Sequence, residues 1–310
     1  MNRRRVFQSI LLLAGLVGIA IVVAQTFDAA DEQVLPSTEA LVAAGVLSIV
    51  AIVSSARAWV ALFSDLVESR ESHLIMRGTF YLAQLTKYLP AGGIVQTASQ
   101  VGLAPSAGVP IRRAAVAFPV SVVGAFVACG TLGSGLVFDS ELHAWTRVLA
   151  VLGLGTVVFL YRGLMAWVID LAHRFVSRIP GSDQLPTQRD IIAFYLWALV
   201  TVGSLCASYA ILLSSLDGNV NPYFVFCAFA LSWLVGFLAV PIPAGVGVRE
   251  AVLVFLLPGV GAAPLLAASL AARLLSIAAE LLAAAVNKVV ARRHAARTTG
   301  DSAAGELTPP

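Results

Sequence analysis

A chain of 310 residues that is 59% apolar and only 12% charged has too little polar surface to cover a soluble globule, so water is not its principal solvent. Its mean hydropathy of +0.89 agrees, and at about 20 residues per helical span it has room for roughly six to eight spans and no large soluble domain. The formal net charge of +3 comes from arginines gathered at the ends of apolar runs, which is membrane topology and not a nucleic-acid footprint.

In chain order, Asn2 to Arg5 and the apolar run Val6 to Ala24 resemble a signal peptide, with Val22 and Ala24 as small cleavage-side residues. The run is long for a usual signal core, so an uncleaved first helix is expected, with Asp28, Asp31 and Glu32 just beyond it. Further runs of spanning length are Leu41 to Phe63, Ile111 to Val137, Trp145 to Ile169, Ile191 to Ser214, Tyr223 to Val240 and Pro264 to Val290. Arg57, Arg70, Arg77, Arg112, Arg113, Arg162, Arg174, Arg178 and Arg189 fall on one set of connections, and Asp28, Asp31, Glu32, Asp139, Glu141 and Asp217 on the other. The positive-inside rule makes the first set cytoplasmic, together with the N-terminus. Arg292, Arg293 and Arg297 argue for a cytoplasmic C-terminus as well. Seven full crossings from a cytoplasmic start would end outside, so an eighth, broken crossing is expected at Val246 to Leu257.

Two stretches do not read as ordinary spans, 74–104 and 240–258. Pro90, Ala91, Gly92, Val95 and Ala98 in the first recur at the same spacing as Pro243, Ala244, Gly245, Val248 and Ala251 in the second. A Pro/Gly break at membrane depth frees backbone groups that must be satisfied by protein or by a water-filled cavity. Pro90 and Gly93, and Pro241, Pro243, Gly245 and Gly247, are therefore the expected re-entrant breaks. A half-helix beginning just after Gly92 or Gly245 would turn free N–H groups toward a phosphate or carboxylate. Two plain loops at the membrane surface are the bland alternative.

Charge inside the hydrocarbon costs roughly 3 kcal/mol or more, so intramembrane ions mark pairing or function. Lys87 stands just before the first break, and Arg249 and Glu250 just after the second, where Arg249 is placed to grip a phosphate and Glu250 to orient it or carry a proton. Arg273 and Glu280 lie seven residues apart on one face of the last span, among small residues. For these the alternative is a structural clamp to other helices, and for Arg57 snorkelling to the interface. Cys129, Cys206 and Cys227 sit in apolar runs and read as packing residues, and the four histidines are scattered, so no metal or cofactor is expected. No nucleophile elbow, nucleotide loop or acidic metal cluster is present, and the chain is not expected to be an enzyme.

Two stretches carry a family resemblance: YLAQLTKYLPAGGIVQTASQVGLAPSAGVPIRRAAVAF, from Tyr81 to Phe118, and VPIPAGVGVREAVLVFLL, from Val240 to Leu257, followed by Ala272, Arg273 and Leu274. Both are similar to the transmembrane region of lysylphosphatidylglycerol synthases and related stand-alone flippase-like membrane proteins. The positions that match the family's motifs are Lys87, Pro90, Gly92, Pro243, Gly245, Gly247, Arg249, Glu250 and Arg273, while Ala91 and Ala244 stand where glycine is common. The resemblance implies a helical domain with re-entrant segments that translocates lipid. No aminoacyl-transfer domain is expected after Val290, which places a lysylated lipid in doubt and brings in polyprenyl-phosphate-linked sugars as a second cargo class.

The expected architecture is therefore all-α: a polytopic membrane helical bundle of about seven to eight segments over residues 1–291, with a disordered cytoplasmic tail over 292–310. The expected function is lipid translocation across a bacterial cytoplasmic membrane without ATP drive. Lys87, Gly92, Arg249, Glu250, Arg273 and Glu280 are the expected headgroup-binding residues. The expected partners are membrane lipids, an anionic phospholipid or a polyprenyl-phosphate lipid, with a separate glycosyltransferase or lipid-modifying enzyme beside them. The rival classes are an accessory or enzyme of lipid-linked sugar transfer, for which Glu250 with Glu280 is the only carboxylate pair on offer, and a scaffold for a lipid-modifying enzyme.

Overall fold

A computed structural model of the chain describes residues 35–88, 92–138, 144–175, 180–238 and 248–305. Within these residues the protein is all-helical, with no strand. Its helices are α1 (Thr38–Ala61), α2 (Arg70–Leu85), α3 (Gly92–Leu103), α4 (Ile111–Gly133), α5 (Ala144–Gly155), α6 (Arg162–Phe175), α7 (Gln188–Leu216), α8 (Pro222–Leu238), α9 (Val248–Leu256) and α10 (Ala262–Gly305). Four stretches are long and apolar enough to cross a bilayer, Thr38–Ala61, Ile111–Phe138, Gln188–Leu216 and Ala262–His294, and a fifth is reached if the bent pair Val151–Leu160 and Arg162–Leu171 counts as one. The expected first helix, 6–24, lies outside the described residues, as do Pro90, Pro241, Pro243, Gly245 and Gly247.

Local chemistry sets the helix starts. Ser37 caps α1 by accepting from the Ala40 amide at 3.2 Å, and Ser69 caps α2 through the Ser72 amide at 3.0 Å. Thr187 and Asp190 form a reciprocal capping box at the start of α7. Gly108, at φ 85°, makes the left-handed turn that leads into α4.

The core is held by close approach of small residues, the usual solution where no hydrophobic effect separates helix from lipid. α1 presents Ala44, Ser48, Ala51 and Ser54 to α7, and Ser208 donates to the Ala44 carbonyl at 3.2 Å while Ser54 and Thr201 share a hydrogen bond at 2.9 Å. α4 and α5 touch backbone to backbone: a Cβ on Gly130 would stand 2.6 Å from the Gly153 carbonyl oxygen. The three cysteines are free and buried.

Side-chain bonds show which connections share an end of the bundle. At one end Ser64 donates to Asp190 at 2.6 Å, Arg113 pairs with Asp65 at 2.8 Å, and Gln188 donates to the Leu160 carbonyl at 3.1 Å. There too Asn287 of α10 donates to the Leu74 carbonyl of α2 at 3.1 Å. At the opposite end Ser37, Ser214 and Pro222 line one cavity, Tyr223 lies against Gly135, and Tyr209 donates to the Leu265 carbonyl at 3.2 Å. α1, α4, α7 and α10 therefore run from end to end.

Two pairs of helices do not. α2 leaves the first end beside α10, stops at a short turn, Thr86–Tyr88, and α3 leads back toward Arg113 at the same end. α8 leaves the second end; α9 begins beside Phe229, Trp233 and Gly236 of α8 and returns to the turn before α10. Each is a hairpin that enters and leaves by one end. Neither the expected crossing at Tyr223 to Val240 nor an eighth, broken span is among the stretches long and apolar enough to cross within the described residues, where Pro222–Gly236 is a shorter apolar helix.

Two further expectations are corrected. The run Trp145 to Ile169 is not one straight helix but bends by 80° between Leu160 and Arg162. Tyr161 is extended there, and the Gln188 side chain fills the freed backbone groups, donating to the Leu160 carbonyl and accepting from the Arg162 amide at 2.8 Å. The tail expected to be disordered from Arg292 is helical through Gly305, in a stretch rich in alanine and arginine, both strong helix formers.

Candidate functional site

α10 organises the site. Its apolar stretch Ala262–His294 is 33 residues, a length of roughly 50 Å at 1.5 Å per residue, which puts Glu280 close to its midpoint. Lys87, at the inner tip of the α2–α3 hairpin, pairs with Glu280, and the neighbouring Tyr88 hydroxyl donates to the other carboxylate oxygen at 3.2 Å. Two turns away, Arg273 pairs with Glu250 of α9 at 2.5 Å. The hairpin from one end thus gives a cation to a carboxylate on α10, and the hairpin from the other end gives a carboxylate to a cation on α10.

Arg249 completes the group. Its guanidinium lies 4.9 Å from the ring centre of Phe229 and 4.8 Å from that of Trp233, at the short range where an aromatic face attracts a cation. The stem packs on Gly236, where a Cβ would approach its Cγ to 2.3 Å, so glycine is required for α9 to lie this close to α8. Among the described residues Arg249 makes no ion pair. Arg249 precedes Glu250 on α9 and so stands beside the Arg273–Glu250 pair; with the Lys87–Glu280 pair two turns along α10, these groups form one polar layer.

Of the expected headgroup residues, Lys87, Glu250, Arg273 and Glu280 meet on α10, and Arg249 stands beside Glu250 on α9 with its side chain against α8. Four of them are engaged with one another, which is the clamp alternative stated for Arg273 and Glu280. The sixth, Gly92, begins α3, and α9 begins at Val248; the expected breaks at Pro90, Pro241, Pro243, Gly245 and Gly247 lie outside the described residues. Gly93 faces open space, with no atom within 4 Å of where a Cβ would stand. The reading missed the Tyr88 hydroxyl and the Phe229/Trp233 pair, although the i, i+4 spacing of the two rings on an apolar helix was visible. Among the described residues no group of three or more His, Cys, Asp or Glu side chains is placed to hold a metal.

No protein-family model matches this chain, and no curated protein matches it.

Proposed function

We propose that this protein is a membrane lipid translocase that moves an anionic, phosphate-bearing lipid without ATP, its headgroup passing the polar layer on α10. The carrying observation is Arg249, a guanidinium beside the α10 ion pairs that has no carboxylate within ion-pair distance among the described residues and is held instead over the rings of Phe229 and Trp233. Three cations and two carboxylates leave the layer one positive charge in excess, which complements a single phosphodiester. A guanidinium presents its donors in the fork that matches phosphate oxygens, and a charge kept in hydrocarbon at a cost of about 3 kcal/mol or more marks function more often than accident. Two pairs of short helices, each pairing a charged side chain with one through-going helix, are the kind of paired element that transport sites use. The resemblance to flippase-like membrane proteins points to the same class, with a bacterial cytoplasmic membrane as its setting.

The test is a headgroup-accessibility assay in proteoliposomes with phosphatidylglycerol, lysylated phosphatidylglycerol and polyprenyl-phosphate probes. The native chain is expected to speed translocation of at least one probe, and Arg249→Gln to lose about tenfold or more of that rate, one charge-assisted contact of roughly 1.4 kcal/mol or more. The variant is scored only if it melts with the native protein. If no probe moves, the accessory or enzyme reading replaces the translocase; if Arg249→Gln moves lipid at the native rate, Arg249 only pins α9 to α8.

A further inference from the structure

A second group of cations lies away from the α10 layer. Near the first end of the bundle a cavity of about 360 Å³ opens between α1, α2 and α7, lined among others by Arg57, His73, Arg77, Ser64 and Trp197. Arg57 comes from the last turns of α1 and is stacked over the Trp197 ring of α7 at 5.0 Å. His73 and Arg77 come from α2, four residues apart and hence on one helical face.

Two polar atoms of this cavity are unsatisfied. The Arg77 Nε and the His73 Nδ1 are both shielded from solvent and have no hydrogen-bond partner among the described residues. Neither Arg57 nor Arg77 has a carboxylate within ion-pair distance there. The neighbouring acids are occupied or exposed: Asp190 accepts from Ser64 and from the Thr187 amide and hydroxyl, Asp65 is paired with Arg113, and Glu68 and Glu71 are exposed. Arg57 is exposed and Arg77 half-buried, so both guanidinium groups can be reached from solvent, and the buried Nε of Arg77, a donor without a partner, costs about 1 to 3 kcal/mol unless a ligand accepts from it. The apolar walls, Val60, Ala61 and Val67, suit a ligand that carries carbon beside its charge.

We infer that this cavity binds a phosphate group, gripped by Arg57 and Arg77 with His73 as a further polar contact and Trp197 as the wall on which Arg57 is held. The phosphate belongs either to a lipid headgroup entering from the leaflet at this end or to a free phosphate from the water. The volume of about 360 Å³ admits a phosphate with a glycerol-sized group. The site stands whether or not the chain translocates lipid, since occupancy here requires no passage through the α10 layer.

The experiment is calorimetric titration of the detergent-solubilised full chain with monomeric short-chain phosphatidylglycerol, with the matching diacylglycerol and with inorganic phosphate. The native chain is expected to bind the phospholipid at least about tenfold more tightly than the diacylglycerol, and Arg57→Gln/Arg77→Gln to remove that preference. Arg249→Gln, outside this cavity, is expected to keep it, which separates this site from the α10 layer. Competition by inorganic phosphate at millimolar concentration identifies the free anion as a ligand; binding of phospholipid without such competition identifies the headgroup. Arg57→Lys/Arg77→Lys, which keeps both charges, restores part of the preference and covers the case in which the glutamine variant fails to fold. Equal binding of phospholipid and diacylglycerol by the native chain, or an unchanged preference in a folded glutamine variant, overturns the proposal.

Discussion

Removing Lys87 is the sharpest test of the polar layer, because its partner has nowhere to go. In the pair the Glu280 side chain is 5% exposed and that of Lys87 is 27% exposed. Taking away one member of a buried pair typically costs about 3 to 5 kcal/mol, most of it the penalty of the stranded charge. Lys87→Met strands the deeper ion, although the Tyr88 hydroxyl still donates to it at 3.2 Å, so the lower part of that range, about 3 kcal/mol, is expected. Glu280→Met strands a lysine that is a quarter open and sits 5.0 Å from the Tyr88 ring; its ammonium can move toward water, and roughly half that cost is expected. The double variant has no stranded charge and should recover most of the loss, a coupling of about 1.5 kcal/mol or more. Thermal unfolding of the four proteins in one detergent reads these values as melting-point differences, of the order of 2 °C per kcal/mol for a chain of this size. Two melting points within a degree of native for the single variants, or strictly additive losses in the double, would refute a buried pair. A larger loss for Glu280→Met than for Lys87→Met would refute the assignment of Glu280 as the deeper partner.

Three further outcomes follow from the packing and the path of the chain. Gly130→Ala is expected to lower the melting point through a clash that cannot relax, its Cβ falling 2.6 Å from a backbone oxygen; the overpacking cost is about 1 to 3 kcal/mol, and a melting point equal to native would mean that α4 and α5 do not touch there. Asp190→Ala removes the capping box of α7 and the acceptor of Ser64 at 2.6 Å, and about 1 to 2 kcal/mol of stability should go with it; a scan in the same detergent checks this. Single cysteines introduced at Glu68, Arg112 and Asp183 should all react with an impermeant maleimide from one face of the membrane, and at Asn219 and Gly259 from the other, against a native background of three buried thiols. Opposite-face labelling of positions 68 and 112, or of 219 and 259, would show that the intervening hairpin crosses the bilayer.

Most of the through-going helices were legible because their cause is compositional. Leu41 to Phe63, Ile111 to Val137, Ile191 to Ser214 and Pro264 to Val290 each coincide with a helix to within a few residues, since an apolar run long enough to cross has little else it can do in lipid. The hairpins were legible only in part. Short helices begin at Gly92 and Val248, but hydropathy cannot distinguish α8, 17 residues from Pro222, from a short crossing. The 80° bend at Tyr161 was hidden for a different reason: the groups that make it tolerable belong to Gln188, 28 residues from Leu160. The charged residues were singled out one by one, yet their partners were not legible, because Lys87 and Glu280 are 193 positions apart. His73 and Arg77 were passed over as loop residues, and only the cavity that joins α2 to α1 and α7 gives their spacing meaning.

The arrangement on α10 explains why ion pairs stand where apolar contacts would cost less. Small-residue faces such as those of α1 and α7 pack well in several registers, and a hairpin that ends at half depth has no second interface to fix its position. Arg273 and Glu280 are two helical turns apart and opposite in sign. A hairpin tip carrying a lysine is satisfied only at Glu280, and a tip carrying a glutamate only at Arg273, so each hairpin has one register in which no charge is stranded. A shift of one turn, about 5.4 Å, would break a pair whose loss costs several kcal/mol. The Glu250–Arg273 pair fixes α9 against α10 and with it the neighbouring Arg249, held by Phe229, Trp233 and the bare backbone of Gly236.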